Sequence, residues 1–159
     1  MLQRDQLLVI YDAECGFCSS VARWLGRLDW RDGICCQPLQ SEELRDALGM
    51  SLKQVKTSAH VLEPNGRMWS EGGAIAACFD ALLPFGAPVF RTLYRVPGLH
   101  QLGDWIYHLI SRLRPKLPHG PADVKRKPPD VDRQTLAEVR RRRLATRMPS
   151  AAPPGAWVH

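Results

Sequence analysis

The sequence predicts an α/β fold in which a central mixed sheet of about four strands is flanked by helices. First, residues 7–11 are apolar at every position, which is typical of a central strand that is covered on both faces. Second, a tight turn and a run with helical periodicity follow this strand. Third, residues 59–62 and 67–70 flank a turn that contains Asn65-Gly66, and this is the clearest hairpin signal in the chain.

Apolar spacing and end signals predict the remaining elements. The first helix should bury a stripe formed by Cys18, Val21, Ala22, Leu25 and Leu28. Ser41 and Gly49 are suitable start and stop residues for a helix at 42–48. The apolar stripe of residues 99–113 predicts a helix that packs in the core. The other predicted elements are a strand at 34–39, a short helix at 51–55, a helix at 74–83 and a short helix that ends near Arg95.

With 159 residues, the chain is long enough to form one domain with its own core and needs no structural disulfide. We place this domain at residues 1–117. The apolar stretch near the amino end is too short for a signal peptide or a membrane span, so we expect a cytoplasmic protein without membrane insertion. In a reducing compartment, the five cysteines are expected to be free, catalytic or metal-bound.

The formal net charge is +6, and most of the positive excess lies in residues 118–159. This segment contains seven prolines and few large apolar residues, so we predict a disordered basic tail without which the domain still folds. Residues 136–144, which include Arg140 to Arg143, could instead form a helix on an anionic partner. Nucleic acid is therefore expected as a partner only through this tail.

Cys15 and Cys18 are separated by two residues at the predicted start of the first helix. Two thiols at this spacing can close a small disulfide ring, and the positive end of a helix favours thiolate over thiol. We therefore predict dithiol redox chemistry, with Cys15 at the helix mouth as the accessible nucleophile and Cys18 as the resolving thiol. The alternatives are half of a zinc site and a pair of inert core thiols.

Asp12 and the pair Gly72-Gly73 are candidates for roles beside the dithiol. Asp12 ends the strand below the motif and could transfer a proton with Cys18, although a turn or helix cap is an equal alternative. Gly72-Gly73 at a helix start could present backbone N–H groups to a carboxylate, and the alternative is an ordinary turn. Glutathione is therefore a candidate co-substrate, and no cofactor other than the redox-active disulfide is expected.

Several short motifs occur in a characteristic order along the chain. They are Tyr11-Asp12, Cys15-Gly16-Phe17-Cys18, Leu28-Asp29, Pro38-Leu39-Gln40-Ser41, Asn65-Gly66 and Ala74-Ile75. In this order they resemble the thiol-disulfide oxidoreductase DCC family, over about residues 7–117. The resemblance implies a thioredoxin-like fold and an oxidoreductase activity on a disulfide-containing protein or a small thiol. The motif that runs from Tyr11-Asp12 to Cys15-Gly16-Phe17-Cys18 is specific, and the later motifs are persuasive mainly through their order.

Two departures from the family pattern are expected to matter. Ala13 stands where the family has glycine, so a turn that needs a positive φ would be strained. Thioredoxin-like enzymes place a cis-proline before the third strand, beside the dithiol, and here Ser58 or Ala59 takes that place. We expect a trans peptide bond there, a loose substrate groove lined by Ala59, and weak substrate selection.

Two other classes of function stay open from the sequence. One is a redox-inactive interaction module whose arginine-rich tail binds anions. The other is a structural zinc module, although adjacent cysteines share a tetrahedral ion poorly; its ligands would be Cys15, Cys18, Cys35 and Cys36. The leading interpretation has no metal, and it assigns Cys35, Cys36 and Cys78 to packing.

Overall fold

The computed structural model describes residues 2–51, 53, 56, 58–84, 87–113 and 131–147. The elements are, in chain order, β1 (Leu7–Tyr11), α1 (Gly16–Leu28), β2 (Ile34–Pro38), α2 (Glu42–Leu48), β3 (His60–Leu62), β4 (Met68–Ser70), α3 (Glu71–Leu82), α4 (Val89–Tyr94), α5 (Leu99–Leu113) and α6 (Arg133–Arg147). A four-stranded mixed sheet carries helices on both faces, which confirms the predicted α/β architecture. The helix predicted at 51–55 lies mostly outside the described residues.

The sheet has the strand order β2-β1-β3-β4. β1 pairs in parallel with β2 and antiparallel with β3, and β3 pairs antiparallel with β4. The hairpin between β3 and β4 turns at Gly66, whose φ of +83° is accessible to glycine without steric cost, so the predicted Asn65-Gly66 turn is confirmed. β1 is therefore a central strand, and the dithiol motif follows its carboxyl end.

Alternate residues of β1 point to opposite faces of the sheet and enter two separate cores. The core on the α1 and α3 side consists of Leu7, Val9, Leu25, Ile34, Val61, Ala74, Ala77 and Cys78. The core on the α2 side consists of Leu2, Leu8, Ile10, Leu39, Leu44, Leu48, Leu62, Val131, Leu136 and Val139. Because both faces are covered, the strand is apolar at every position.

The predicted ends of α2 are confirmed by their cap geometry. The Ser41 hydroxyl accepts a hydrogen bond from the Leu44 N–H at 3.3 Å, which satisfies one of the open donors of the first turn. Gly49 ends the helix in the left-handed region, with a φ of +67°. α3 begins at Glu71, three residues before the predicted start at Ala74.

α1 buries a stripe that differs from the predicted one. Its buried residues are Gly16, Ser19, Ala22 and Leu25. Val21 and Leu28, which were expected to be buried, are 38% and 41% exposed, and Cys18 is half-buried. β1 and β2 cover one flank of the helix, whereas Cys18 and Val21 border an open cavity described below.

The carboxyl-terminal segment shows that our prediction of a disordered tail is wrong for residues 131–147. Residues 133–147 form α6, which packs against α2, and Val131, Leu136 and Val139 complete the core on that face. The segment is poor in apolar residues on average, but Leu136 and Val139 lie three apart and share one helix face. The other parts of the predicted tail lie outside the described residues. The domain therefore extends beyond residue 117, and removal of residues 118–159 should destabilise it.

Arg142 ties α6 to the amino end of the chain. Its side chain is fully buried and donates hydrogen bonds to the backbone carbonyls of Gln3, Arg4 and Gln6. Its Nε also donates to the Glu138 carboxylate at 2.9 Å. A buried guanidinium is tolerated because its donors are matched by acceptors. This use of Arg142 removes support from the alternative in which the arginine run is a free anion-binding arm.

α5 also differs from the prediction, because none of its residues is buried. Leu102 is 50% exposed and Trp105 is 62% exposed. The helix contacts α3 and α4, and Tyr107 and Ile110 line the cavity beside α1. Its apolar stripe therefore covers one side of the domain and does not enter either core. In the part of the chain that the structure describes, we find no helix that is long and apolar enough to span a membrane.

Docking of α6 can be tested with two leucines on the same helix. Leu136 is 8% exposed and belongs to the core, whereas Leu144 is 59% exposed. Leu136→Ala should lower the free energy of unfolding by about 2–5 kcal/mol because it opens a cavity, and Leu144→Ala by less than about 0.5 kcal/mol. Urea unfolding followed by circular dichroism measures both. Equal effects would mean that α6 does not dock in this orientation.

The stability of the protein should depend on pH through Glu138 on α6. The pKa of Glu138 is lowered from 4.5 to about 2. The main cause is the hydrogen bond from Arg141. Arg142 lowers the pKa further, whereas burial opposes the shift. Because the folded-state pKa is the lower one, this contribution is complete above about pH 4.5 and is lost as the pH falls toward 2. Glu138→Gln should therefore destabilise the protein near neutral pH. The difference from wild type should shrink in acid, and a difference that is independent of pH would contradict this account.

Candidate active site

The site is built at the junction of β1 and α1. The Cys15 N–H donates to the Asp12 carbonyl at 3.2 Å, which closes a tight turn directly after the strand. The buried Ser19 hydroxyl donates to the Ala13 carbonyl at 3.3 Å and holds the turn against the helix. A positive φ occurs at only two non-glycine positions among the described residues, Asp32 and Glu71. The predicted strain at Ala13 is therefore wrong, because alanine fits this turn in an ordinary conformation.

Gln40 holds the same turn from the end of the neighbouring strand. Its side-chain amide donates to the Asp12 carboxylate at 2.7 Å and accepts a hydrogen bond from the Ala13 N–H at 3.2 Å. The same Asp12 oxygen also accepts the Glu14 N–H at 3.0 Å. Asp12 therefore caps the turn, which is the structural alternative that we weighed for it. Asp12 is also among the residues that line the same cavity as Cys18.

Cys15 and Cys18 lie together at the start of α1. Cys15 is the N-cap residue, and its sulfur accepts a hydrogen bond from the Cys18 N–H at 3.3 Å. The two residues approach within 3.1 Å of each other, and both are half-buried. This proximity is consistent with a CxxC pair of cysteines that could join in a disulfide. The structure gives both thiols similar exposure, so the greater accessibility of Cys15 stays a prediction.

The charge of Glu14, next to the dithiol, is compensated by Lys56. The Lys56 ammonium lies 3.0 Å from the Glu14 carboxylate, and both side chains are about half exposed. The hydrogen bond to Glu14 is the main cause that raises the pKa of Lys56 above its ordinary value. The immediate surroundings of Cys15 therefore contain a neutral ion pair in place of a single negative charge.

Ala59, which takes the place of the expected cis-proline, is bound to α5. The described backbone contains no cis peptide bond, so the bond before Ala59 is trans as expected. The Ala59 N–H donates to the Tyr107 hydroxyl at 2.8 Å, and its carbonyl accepts the Glu71 N–H at 3.1 Å. Tyr107 therefore forms part of the wall of the space beside the dithiol, next to Ala59.

Gly72 and Gly73 lie in the first turn of α3, and both are buried. A Cβ on Gly72 would stand 3.0 Å from the Asp104 carboxylate, and one on Gly73 would stand 2.8 Å from the Trp69 ring. The Tyr94 ring also lies close to Gly73, and its hydroxyl donates to the Asp104 carboxylate. Close packing therefore accounts for this glycine pair. The carboxylate and glutathione site expected here stays a prediction.

An apolar cavity of about 260 Å³ opens beside the dithiol, between α1, α3 and α5. Cys18, Asp12, Ala59 and Tyr107 line it. The structure thus brings Cys18, Asp12 and Ala59 together around one space, and Gly72 and Gly73 are not part of its lining. Several apolar side chains at its rim are partly exposed to solvent; these are Val21, Trp24, Phe79 and Ile110.

Cys36 and Cys78 are placed in less reactive surroundings. Burial, with a smaller contribution from Cys35, raises the pKa of Cys36 to about 12. Burial, with a smaller contribution from Cys36, also raises the pKa of Cys78 to about 12. Across the described ranges, no three His, Cys, Asp or Glu side chains converge in a way that could hold a metal ion. The zinc alternative, which needs four convergent cysteines, therefore receives no support from this geometry.

The fold and the paired thiols define a class of protein, which is a thioredoxin-like domain with a dithiol at the amino end of its first helix. A profile of the DCC1-like thiol-disulfide oxidoreductase family matches residues 9–119, and the chain belongs to this family. The resemblance that we inferred from the motifs is thereby confirmed. A search of curated proteins and a search of solved structures find no match.

The structure adds three residues to the site that sequence analysis did not assign to it. Gln40 had a usable signal, because it follows β2 and the carboxyl ends of parallel strands meet at one edge of a sheet. Lys56 and Tyr107 had no local signal. Their places depend on how their segments dock on the sheet, which spacing alone does not predict.

Differences in thiol environment predict an order of alkylation. Brief treatment of the reduced protein with iodoacetamide near neutral pH should modify Cys15 and Cys18 before Cys36 and Cys78, whose raised pKa values keep them protonated. We further expect Cys15 to react before Cys18. Peptide mass spectrometry measures the order, and labelling in denaturant provides the fully reactive control. Rapid modification of Cys78 in the folded protein would contradict the described packing.

Proposed function

We propose that this protein is a thiol-disulfide oxidoreductase in which Cys15 is the nucleophile and Cys18 the resolving thiol. The observation that carries the proposal is the approach of the two cysteines within 3.1 Å at the start of α1. The N–H of Cys18 is directed at the Cys15 sulfur, and a donor in this position stabilises negative charge on a thiolate. Membership of an oxidoreductase family supports the same chemistry.

In the proposed reaction, the Cys15 thiolate attacks one sulfur of a substrate disulfide. A bond between Cys15 and that sulfur forms, the substrate S–S bond breaks, and the other sulfur leaves as a thiolate that takes up a proton. Cys18 then attacks the Cys15 sulfur, and the second substrate sulfur is released. The substrate gains two electrons and two protons, and the protein gains the Cys15–Cys18 disulfide. The reverse sequence oxidises a dithiol substrate.

We propose that Asp12 assists proton transfer with Cys18. Asp12 and Cys18 line the same cavity, and the Asp12 carboxylate is held in place by the Gln40 amide. Because the same oxygen also caps the turn, removal of the carboxylate would weaken both functions. Asp12→Asn should therefore be compared with Gln40→Ala, which loosens the turn but leaves the carboxylate in place. If Asp12 transfers a proton, only Asp12→Asn should change the pH profile of the rate.

The substrate that we propose is a disulfide-containing protein or a small thiol, with Ala59 lining the groove that receives it. Glutathione stays a candidate co-substrate, to be tested directly. We retain the cytoplasm as the proposed location and the dithiol as the only redox group. The redox-inactive interaction module and the zinc module are the alternatives, and neither is favoured by a specific contact among the described residues.

The activity can be tested on hydroxyethyl disulfide, with dithiothreitol as the terminal reductant. Wild type should show a measurable rate, and Cys15→Ser should reduce it to background because no attacking thiol remains. Cys18→Ser, treated with hydroxyethyl disulfide in the absence of dithiothreitol, should accumulate a mixed disulfide on Cys15, visible by intact mass. Cys35→Ser is the matched control and should keep the wild-type rate. If wild type is inert in both reducing and oxidising assays while Cys15 and Cys18 are free thiols, the proposal fails.

A further inference from the structure

The cavity beside the dithiol is suited to an uncharged, apolar ligand. Its volume of about 260 Å³ exceeds the roughly 150 Å³ of an engineered apolar cavity that stays dry and binds benzene. The lining side chains are mainly aliphatic and aromatic, and among them are Phe17, Val21, Trp24, Ile75, Phe79 and Ile110. A space of this size next to Cys18 could therefore hold the group that carries a substrate's sulfur atoms.

The charges at this cavity do not favour a charged substrate. Of the described lining residues, only Asp12 and Lys56 carry a formal charge. Lys56 is paired with Glu14 at 3.0 Å, and the Asp12 carboxylate accepts the Gln40 amide at 2.7 Å. A substrate carboxylate in the cavity would therefore meet no uncompensated cation among these residues and would lose its hydration without replacement.

We infer that this cavity selects disulfides carried on a neutral aliphatic group, of which a 1,2-dithiolane on an alkyl amide chain is the simplest example. The inference rests on the proposed function, because it names the substrate class of the same dithiol. The alkyl chain occupies the apolar lining that includes Val21 and Ile110, so the dithiolane sulfurs reach Cys18, which lines the cavity, and through it Cys15, which approaches Cys18 within 3.1 Å. Burial of each methylene group of the chain favours this complex over that of a polar disulfide.

The protein dithiol alone supplies the two electrons that reduce such a substrate. The Cys15 thiolate opens the dithiolane, so one S–S bond breaks and one Cys15–S bond forms while the freed sulfur takes a proton. Cys18 then displaces the second sulfur, which also takes a proton. The alkyl dithiol is released, and Cys15 and Cys18 are left as a disulfide. Two electrons pass from the protein to the dithiolane in one turnover.

The full-length protein should be compared on three disulfides in the same assay: lipoamide, hydroxyethyl disulfide and oxidised glutathione. Lipoamide supplies the neutral alkyl chain, hydroxyethyl disulfide is small and polar, and oxidised glutathione is charged. The kcat/KM for lipoamide should exceed that for each of the others by at least about tenfold, after correction for their uncatalysed reaction with dithiothreitol. Equal values, or a preference for oxidised glutathione, would overturn the inference and leave the oxidoreductase function intact.

Two isoleucines on α5 provide a matched pair of variants. Ile110 lines the cavity and is 36% exposed, whereas Ile106 does not line it and is 42% exposed. Ile110→Glu should reduce the ratio of kcat/KM for lipoamide to that for hydroxyethyl disulfide by about tenfold, because it places a carboxylate in the apolar lining. Ile106→Glu should leave the ratio unchanged. The same loss in both variants would mean that α5 acts only through the fold.

Binding of octanamide, which has the alkyl chain and amide but no sulfur, separates the site from the redox reaction. Calorimetry should detect octanamide binding to wild type, with weaker binding to Ile110→Glu and wild-type binding to Ile106→Glu. If octanamide binds in this pattern and every disulfide is inert, the cavity is an aliphatic site and the proposed function has failed. If disulfides are reduced and octanamide does not bind, the inference has failed and the function stands.

Discussion

Burial of β1 on both faces is the interaction on which the rest of the structure depends. Leu8 is completely buried on one side of the sheet, and Val9 is 8% exposed on the other. A strand buried in this way needs two apolar layers, because either face left open would expose a row of large side chains to water. α1 and α3 supply one layer, and α2 with α6 supplies the other.

This constraint also positions the dithiol. β1 is held by β2 in parallel and by β3 in antiparallel pairing, so its carboxyl end is fixed from both sides. The Leu39 N–H donates to the Tyr11 carbonyl at 2.9 Å, which brings Gln40 to the turn before α1. Cys15 and Cys18 therefore sit on a rigid junction. α5, which has no buried residue, covers the other side of the site and leaves the cavity open.

Sequence patterns predicted the features that neighbouring residues determine. The Ser41 and Gly49 helix ends, the hairpin turn and the cysteine spacing are local, and the structure has each of them. Features that depend on distant contacts were mispredicted. α6 docks through two apolar residues and Arg142, whose acceptors lie at the other end of the chain. The stripe of α5 was assigned to the core because periodicity shows that one face is apolar but not what covers that face.

The central claim is that Cys15 and Cys18 form one reversible redox couple on this junction. It is tested most directly by equilibrating the protein with graded ratios of reduced and oxidised dithiothreitol, quenching with acid and mapping the disulfides by mass spectrometry. The account predicts a single two-electron transition in which the Cys15–Cys18 disulfide appears as both free thiols disappear. Disulfides that join other cysteine pairs, or no disulfide between Cys15 and Cys18 at any ratio, would contradict it.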